Sequence, residues 1–169
     1  FIGLTENQTQ YVTNARRQLQ NLDAGYLDRA LRDKRFDAQV RSAIRDGMPL
    51  SKETVDRLTN RYHDRMLAHR GKVIGQDQAH TAISTGRHEG FNQLRENPNV
   101  SEVTKRWQWN FSNDPREDHR AMASAPARPF DMPFVFEDGT SMQMPHEDGA
   151  PPKHKLGCKC IVFYRPRFV

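Results

Sequence analysis

The chain has 169 residues, 36% hydrophobic and 28% charged, with 26 Lys+Arg against 21 Asp+Glu and a net charge of +5. That length suits one domain, or one domain with an appendage, and no run approaches the roughly 18 consecutive apolar residues of a membrane helix. Cys158 and Cys160 are the only cysteines and stand two apart, a poor geometry for a structural bridge, so a disulfide-stapled secreted domain is excluded.

No signal peptide is expected from Phe1-Ile2-Gly3-Leu4, which shows no cationic region followed by an apolar one. Without an initiator Met, the chain reads as a fragment or a processed product. A pI near 9.5 suits an acidic partner such as nucleic acid, although the interleaving of acids with bases equally describes a solvated mixed-charge surface.

Thr5-Glu6-Asn7-Gln8 has the form of a capping box, and Tyr11, Val12, Ala15, Leu19 and Leu22 follow at helical spacing. A first helix is therefore expected from about 5 to 21. A weaker one is expected from Ala24 to Phe36 or beyond. Val40, Ala43 and Ile44 form a short stripe that should stop at Gly47-Met48-Pro49, because Pro removes a donor and Gly accepts the terminating conformation. Ser51 then caps a helix whose stripe is Val55, Leu58, Tyr62, Met66 and Val73. The set Ile74, Ala79, Ala82, Ile83, Phe91 and Leu94 prolongs the helical character to about Glu96, as one long helix or a helical hairpin. Arg16, Arg17, Arg29, Arg32, Lys34, Arg35, Arg41 and Arg45 make this half strongly basic, with aspartates placed for helical ion pairs three or four apart.

Composition changes near Pro98: residues 1–97 hold one proline and the remainder nine, with both tryptophans and both cysteines. The expected architecture is α+β, a helical region over 1–97 packed on a small antiparallel sheet with long loops over 98–169. Trp107, Trp109 and Phe111 alternate with polar residues, the pattern of a half-buried strand. Phe134 to Met144 reads as a hairpin, and a loop of Asp138 to Thr140 would set Phe136 opposite Met142 and Phe134 opposite Met144. Cys158 to Tyr164 should be a last strand ending at Pro166.

The densest chemistry lies in Asp114-Pro-Arg116-Glu-Asp118-His119, His154 and Cys158-Lys-Cys160. Thiolate and imidazole are the ligands that tetrahedral zinc prefers, and Cys-x-Cys on a strand points both sulfurs to one face. His119, His154, Cys158 and Cys160 would make a closed four-ligand site, with His146 and Asp118 as alternates. Equally, the cysteines are small core residues and the histidines bond locally. A metal would be structural, cross-linking loops that have few apolar anchors. Trp107 and Trp109 beside Lys105 and Arg106 allow base stacking or plain core packing. His119 as base and Arg116 on a phosphate would be the elements of a metal-dependent nuclease. No phosphate-binding Gly-rich loop, serine elbow or His-Glu-x-x-His motif is present.

Taken in order, Trp107-x-Trp109, Ser112-Asn-Asp114-Pro-Arg116-Glu-Asp118-His119-Arg-Ala-Met122, Pro129-Phe130, the Asp138-Gly139 turn, Pro151-Pro152-x-His154 and Cys158-Lys-Cys160 resemble the phage Mu F-like minor head proteins. The helix Arg70 to Asp77 also resembles that family, so the likeness covers about 70 to 164. Ser124 stands where the family usually has Gly, and Lys159 where Arg is commoner. The resemblance implies a minor capsid protein of the virion, joined to portal or major capsid protein during head assembly in the host cytoplasm and contacting packaged DNA. It also strengthens the zinc expectation. The other function classes are a DNA-binding protein delivered with the genome and the metal-dependent nuclease.

Overall fold

A computed structural model of the chain describes residues 3–109 and 116–169. The chain is α+β and divides into two compact units, Phe1–Lys72 and Val73–Val169. The boundary therefore falls inside the long helix and not near Pro98: the segment from Val73 onward finds its partners in the C-terminal sheet and loops.

In the first unit, helix α1 (Glu6–Gln20) begins with the expected capping box, the Thr5 hydroxyl accepting from the Gln8 N–H while the Gln8 side chain accepts from the Thr5 N–H. The helix expected from Ala24 to Phe36 does not form. Two 3-10 turns, Ala24–Asp28 and Lys34–Phe36, take its place, and each starts at an aspartate whose carboxylate captures a nearby backbone N–H. Such short polar side chains compete with the helical ladder for the same donors. Helix α2 (Asp37–Asp46) ends at Gly47 with φ +63°, and Ser51 caps α3 (Lys52–Leu94), its hydroxyl accepting from the Thr54 N–H. Ala15, Leu19, Tyr26, Val40, Val55, Leu58, Tyr62 and Met66 form this unit's core.

The basic stretch is tied together across the fold more than along its helices. Arg41 and Asp37 do make a pair four apart, at 4.0 Å, but the shorter contacts are of another kind. Arg16 bonds Asp56 at 2.5 Å, and Arg32 grips Asp37 with two nitrogens at 2.9 and 2.8 Å. The buried carboxylate of Asp33 takes Arg35, Arg61 and Arg65 at 2.7, 3.2 and 3.4 Å. Arg35, hydrogen-bonded to it by side chain and backbone, holds that carboxyl well below the usual range. Arg16, a nucleic-acid candidate in the sequence, is committed to Asp56, whereas Arg17 is exposed.

In the second unit α3 continues unbroken to Leu94, so the hairpin alternative is not adopted. The face it buries there mixes aliphatic with polar and aromatic side chains. Val73, Ile74, Asp77, His80, Thr81, Ser84, His88, Phe91 and Leu94 are partly buried, while Ala79, Ala82 and Ile83 are exposed. His88 stacks on Phe130 with ring centroids 4.5 Å apart, its Nδ1 lies 2.8 Å from the Tyr164 hydroxyl, and Phe91 stacks on Tyr164 at 4.6 Å. Of the expected stripe Ile74, Phe91 and Leu94 are partly buried, and rings and polar side chains take the other places.

The sheet has the order β2-β1-β5, with β1 at Val100–Gln108, β2 at Arg128–Pro129 and β5 at Ile161–Phe168, all antiparallel. Trp107 is buried at 1% exposure opposite Val162 and Trp109 is half-buried, while Phe111 and Asp114 lie outside the described residues. The last strand starts later than expected and passes through Pro166, which β5 tolerates because it is an edge strand. The hairpin of β3 (Phe134–Val135) and β4 (Ser141–Met142) pairs Phe134 with Met142, not with Met144. Its loop has three residues as expected, but they are Glu137, Asp138 and Gly139. The Phe136 N–H donates to the Thr140 carbonyl and the Gly139 N–H to the Phe136 carbonyl, with Gly139 at φ +81°. The left-handed glycine sets this bulged turn, and therefore the register.

Lys105 corrects another expectation. It is 1% exposed, beneath Phe130 and Phe134, and its ammonium donates to the Gln143 carbonyl at 3.1 Å and to the Gln143 side chain. It cannot meet nucleic acid. Burial pushes its pKa down from 10.5 to about 8. Between those values the unfolded chain binds more protons at this site, so stability rises with pH across that window, by roughly 3 kcal/mol at most. Denaturant titrations followed by tryptophan fluorescence at pH 7.5 and 10 check this; in Lys105→Met that increment should vanish.

Candidate metal centre

His119 and Asp118 stand at the start of helix α4 (Glu117–Ser124), where Asp118 accepts from the His119 N–H at 2.8 Å. Downstream, Pro152 opens the single turn α5 (Pro152–Lys155), which carries His154. Gly157, at φ +71°, then redirects the chain into Cys158 and Cys160 just before β5. Arg116 braces the two segments: its guanidinium donates to the Leu156 carbonyl at 2.6 Å. That contact employs one guanidinium nitrogen within the fold.

Both thiols are free and buried. His119, 1% exposed, directs Nδ1 at the two sulfurs, 3.4 Å from each. The Cys160 N–H donates to the Cys158 sulfur at 3.3 Å, the local contact that a two-residue spacing favours. His119, Cys158 and Cys160 thus form a buried cluster able to hold a metal ion, their donor atoms all within 4.8 Å of one another. Hydrogen bonding with Cys160, and then with His119, drives the Cys158 thiol far down, while the same contact and burial push the Cys160 thiol up.

His154 is brought close, but on the other side of His119. Nε2 of His119 lies 3.4 Å from Nδ1 of His154, with the rings nearly parallel. Asp118 approaches the same nitrogen at 3.3 Å, and Nε2 of His154 lies 2.9 Å from an Asp138 oxygen. Lys153 pairs with Asp138 and, with the His154 hydrogen bond, holds its carboxyl well below the usual range. The result is a chain from the sulfurs through His119 and His154 to two carboxylates. In metal sites such outer partners orient the ligating imidazole and fix its tautomer. Neither His119 nitrogen is turned toward solvent, as proton abstraction from a bound substrate would require.

Trp107 walls the cluster, its ring edge-on to His119 at 5.4 Å. Phe130 is buried and Pro129 pairs with Thr104 in β2. The Arg106 guanidinium donates to the Ala123 carbonyl at 3.2 Å, although the residue is exposed. His146, at 1% exposure, stacks on His80 with centroids 4.7 Å apart. Sequence reasoning missed two contributors. Asp138 was read only as turn chemistry, and Asp77, on α3, lies 3.8 Å from Nδ1 of His146. No spacing rule joins helix position 77 to loop position 146.

No family model matches the chain, and no curated protein or solved structure was found to match it.

Proposed function

We propose that this chain is a non-enzymatic head morphogenesis protein of a phage, a minor capsid component that works beside the portal, and that a structural zinc ion organises its second unit. One observation carries the reading: of the ordered motif set, Trp107, the Asp138 turn and His154 gather around the buried His119, Cys158 and Cys160 cluster. Two thiolates and an imidazole are soft and borderline donors that suit zinc over magnesium or calcium. Around a tetrahedral zinc, sulfur and nitrogen ligands stand about 3.6 Å apart, and the sulfurs here lie 3.4 Å from the His119 nitrogen. The burial of all three donors favours a structural over a catalytic ion, since a catalytic site keeps a position for water or substrate.

In this reading the protein acts in the host cytoplasm during assembly and stays in the virion, with portal or major capsid protein as its partner. Packaged DNA is a lesser partner, met through exposed residues such as Arg17 and Arg106, because Arg16 and Lys105 are engaged internally. Deleting the coding sequence from the genome that carries it, followed by cryo-electron microscopy of the heads, tests the proposal. The expected result is a fall in DNA-filled heads or in portal occupancy. Heads with unchanged portal occupancy and normal DNA retention would sink it.

A further inference from the structure

We infer that His146 is the fourth ligand of this metal centre and that Asp77 is the carboxylate behind it. The inference rests on the zinc reading above and concerns the composition of that site. Structural zinc is four-coordinate, and His119, Cys158 and Cys160 supply three donors.

His146 is 1% exposed, yet neither of its ring nitrogens has a hydrogen-bond partner among the described residues. A buried polar group left unpaired is costly, so native folds rarely keep one without a use for it. Its backbone is also unusual: φ is +61°, in the left-handed region, a conformation uncommon outside glycine that clusters at functional sites. The Oδ1 atom of Asp77 is likewise buried and unpaired, and it lies 3.8 Å from Nδ1 of His146. Three unpaired polar atoms thus fall on one line of groups, and one ion resolves all of them. A metal on Nε2 fixes the proton on Nδ1, directed at Asp77, the carboxylate–histidine–metal arrangement that second shells favour.

The surroundings agree. His80 stacks on the imidazole and sets its plane, while Lys155 lies 3.4 Å from the other Asp77 oxygen. His80, Met144, Pro145 and Cys160 line one small cavity, which places the loop bearing His146 beside the second sulfur. Two thiolates and two neutral imidazoles around a divalent ion carry no net charge, as burial of the donors demands.

His154, the other contender, is occupied. Asp118 and His119 approach one of its nitrogens and Asp138 the other. The His119 nitrogen that faces it is not the one that faces the sulfurs, so a single ion held by His119 Nδ1 and both cysteines does not reach it.

X-ray absorption spectroscopy of the full chain loaded with one equivalent of zinc tests the assignment. Two sulfurs and two imidazoles are expected in the wild type and in His154→Gln, and three sulfurs with one imidazole in His146→Cys. Asp77→Asn should keep the wild-type shell but weaken zinc binding by about 10- to 100-fold. Two sulfurs, one imidazole and an oxygen in the wild type would overturn His146 while leaving the three-residue site intact. Loss of an imidazole in His154→Gln would give the fourth place to that residue. A wild type that takes up no zinc would overturn the site itself, and this assignment with it.

Discussion

Stripping zinc from the purified chain with a strong chelator is expected to lower the melting temperature of the second unit by about 15 °C or more, while the first unit melts where it did before. The magnitude follows from mass action: an ion present at a thousand times its dissociation constant stabilises the state it binds by about 4 kcal/mol. In a domain of up to about 100 residues each kcal/mol moves the midpoint by about 4–8 °C. The readout is selective because both tryptophans, Trp107 and Trp109, belong to the second unit, so their fluorescence follows that unit alone, and calorimetry follows both. The linkage has a chemical origin. His119, His146, Cys158 and Cys160 come from loops and element ends, and holding them together offsets the entropy of ordering those loops. A tryptophan-detected transition that ignores the chelator would remove the metal from the account of this unit's stability.

Trp107→Ala is expected to cost about 3–5 kcal/mol, a large part of the roughly 5–15 kcal/mol that holds an ordinary domain together. The indole is 1% exposed and meets Phe134, Phe136 and His119 edge-on, with centroids 5.1 to 5.4 Å away. Removing it leaves a cavity between the sheet and the candidate site, so zinc affinity should fall together with stability. Trp107→Phe keeps a ring in the cavity and should recover most of both losses. Urea unfolding read by circular dichroism, with zinc uptake measured on the same samples, checks the pair. A loss below about 1 kcal/mol for the alanine variant would mean that the cavity collapses without cost.

Two candidate ligand sets can be compared with what local sequence makes visible. Cys-x-Cys and the Asp118-His119 pair are short-range features, and the structure brings His119 to both sulfurs. The choice between His146 and His154 is of another kind. Both sit in the same proline-rich segment, 12 and 4 residues before Cys158, and what separates them as ligands is the set of groups each ring meets. Two of those groups, Asp77 on α3 and Asp138 in a hairpin loop, are 69 and 16 residues away from the histidines they serve.

What the sequence by itself determined is local chemistry: the capping box at Thr5, the stop at Gly47, the cap at Ser51, the α+β division and the pairing of two thiols two residues apart. Each depends on contacts within about four residues, where residue type and spacing are nearly sufficient. The tertiary structure alone decided the rest. The buried Asp33 carboxylate drew in Arg61 and Arg65 from α3. The rings of Phe130 and Tyr164 took His88 and Phe91 of α3, and Lys105 went beneath two phenylalanines. These outcomes depend on which distant groups share a buried volume. Burial makes an unpaired polar atom costly wherever its partner lies in the chain, so the arrangement was settled by distances in space that spacing along the sequence does not encode.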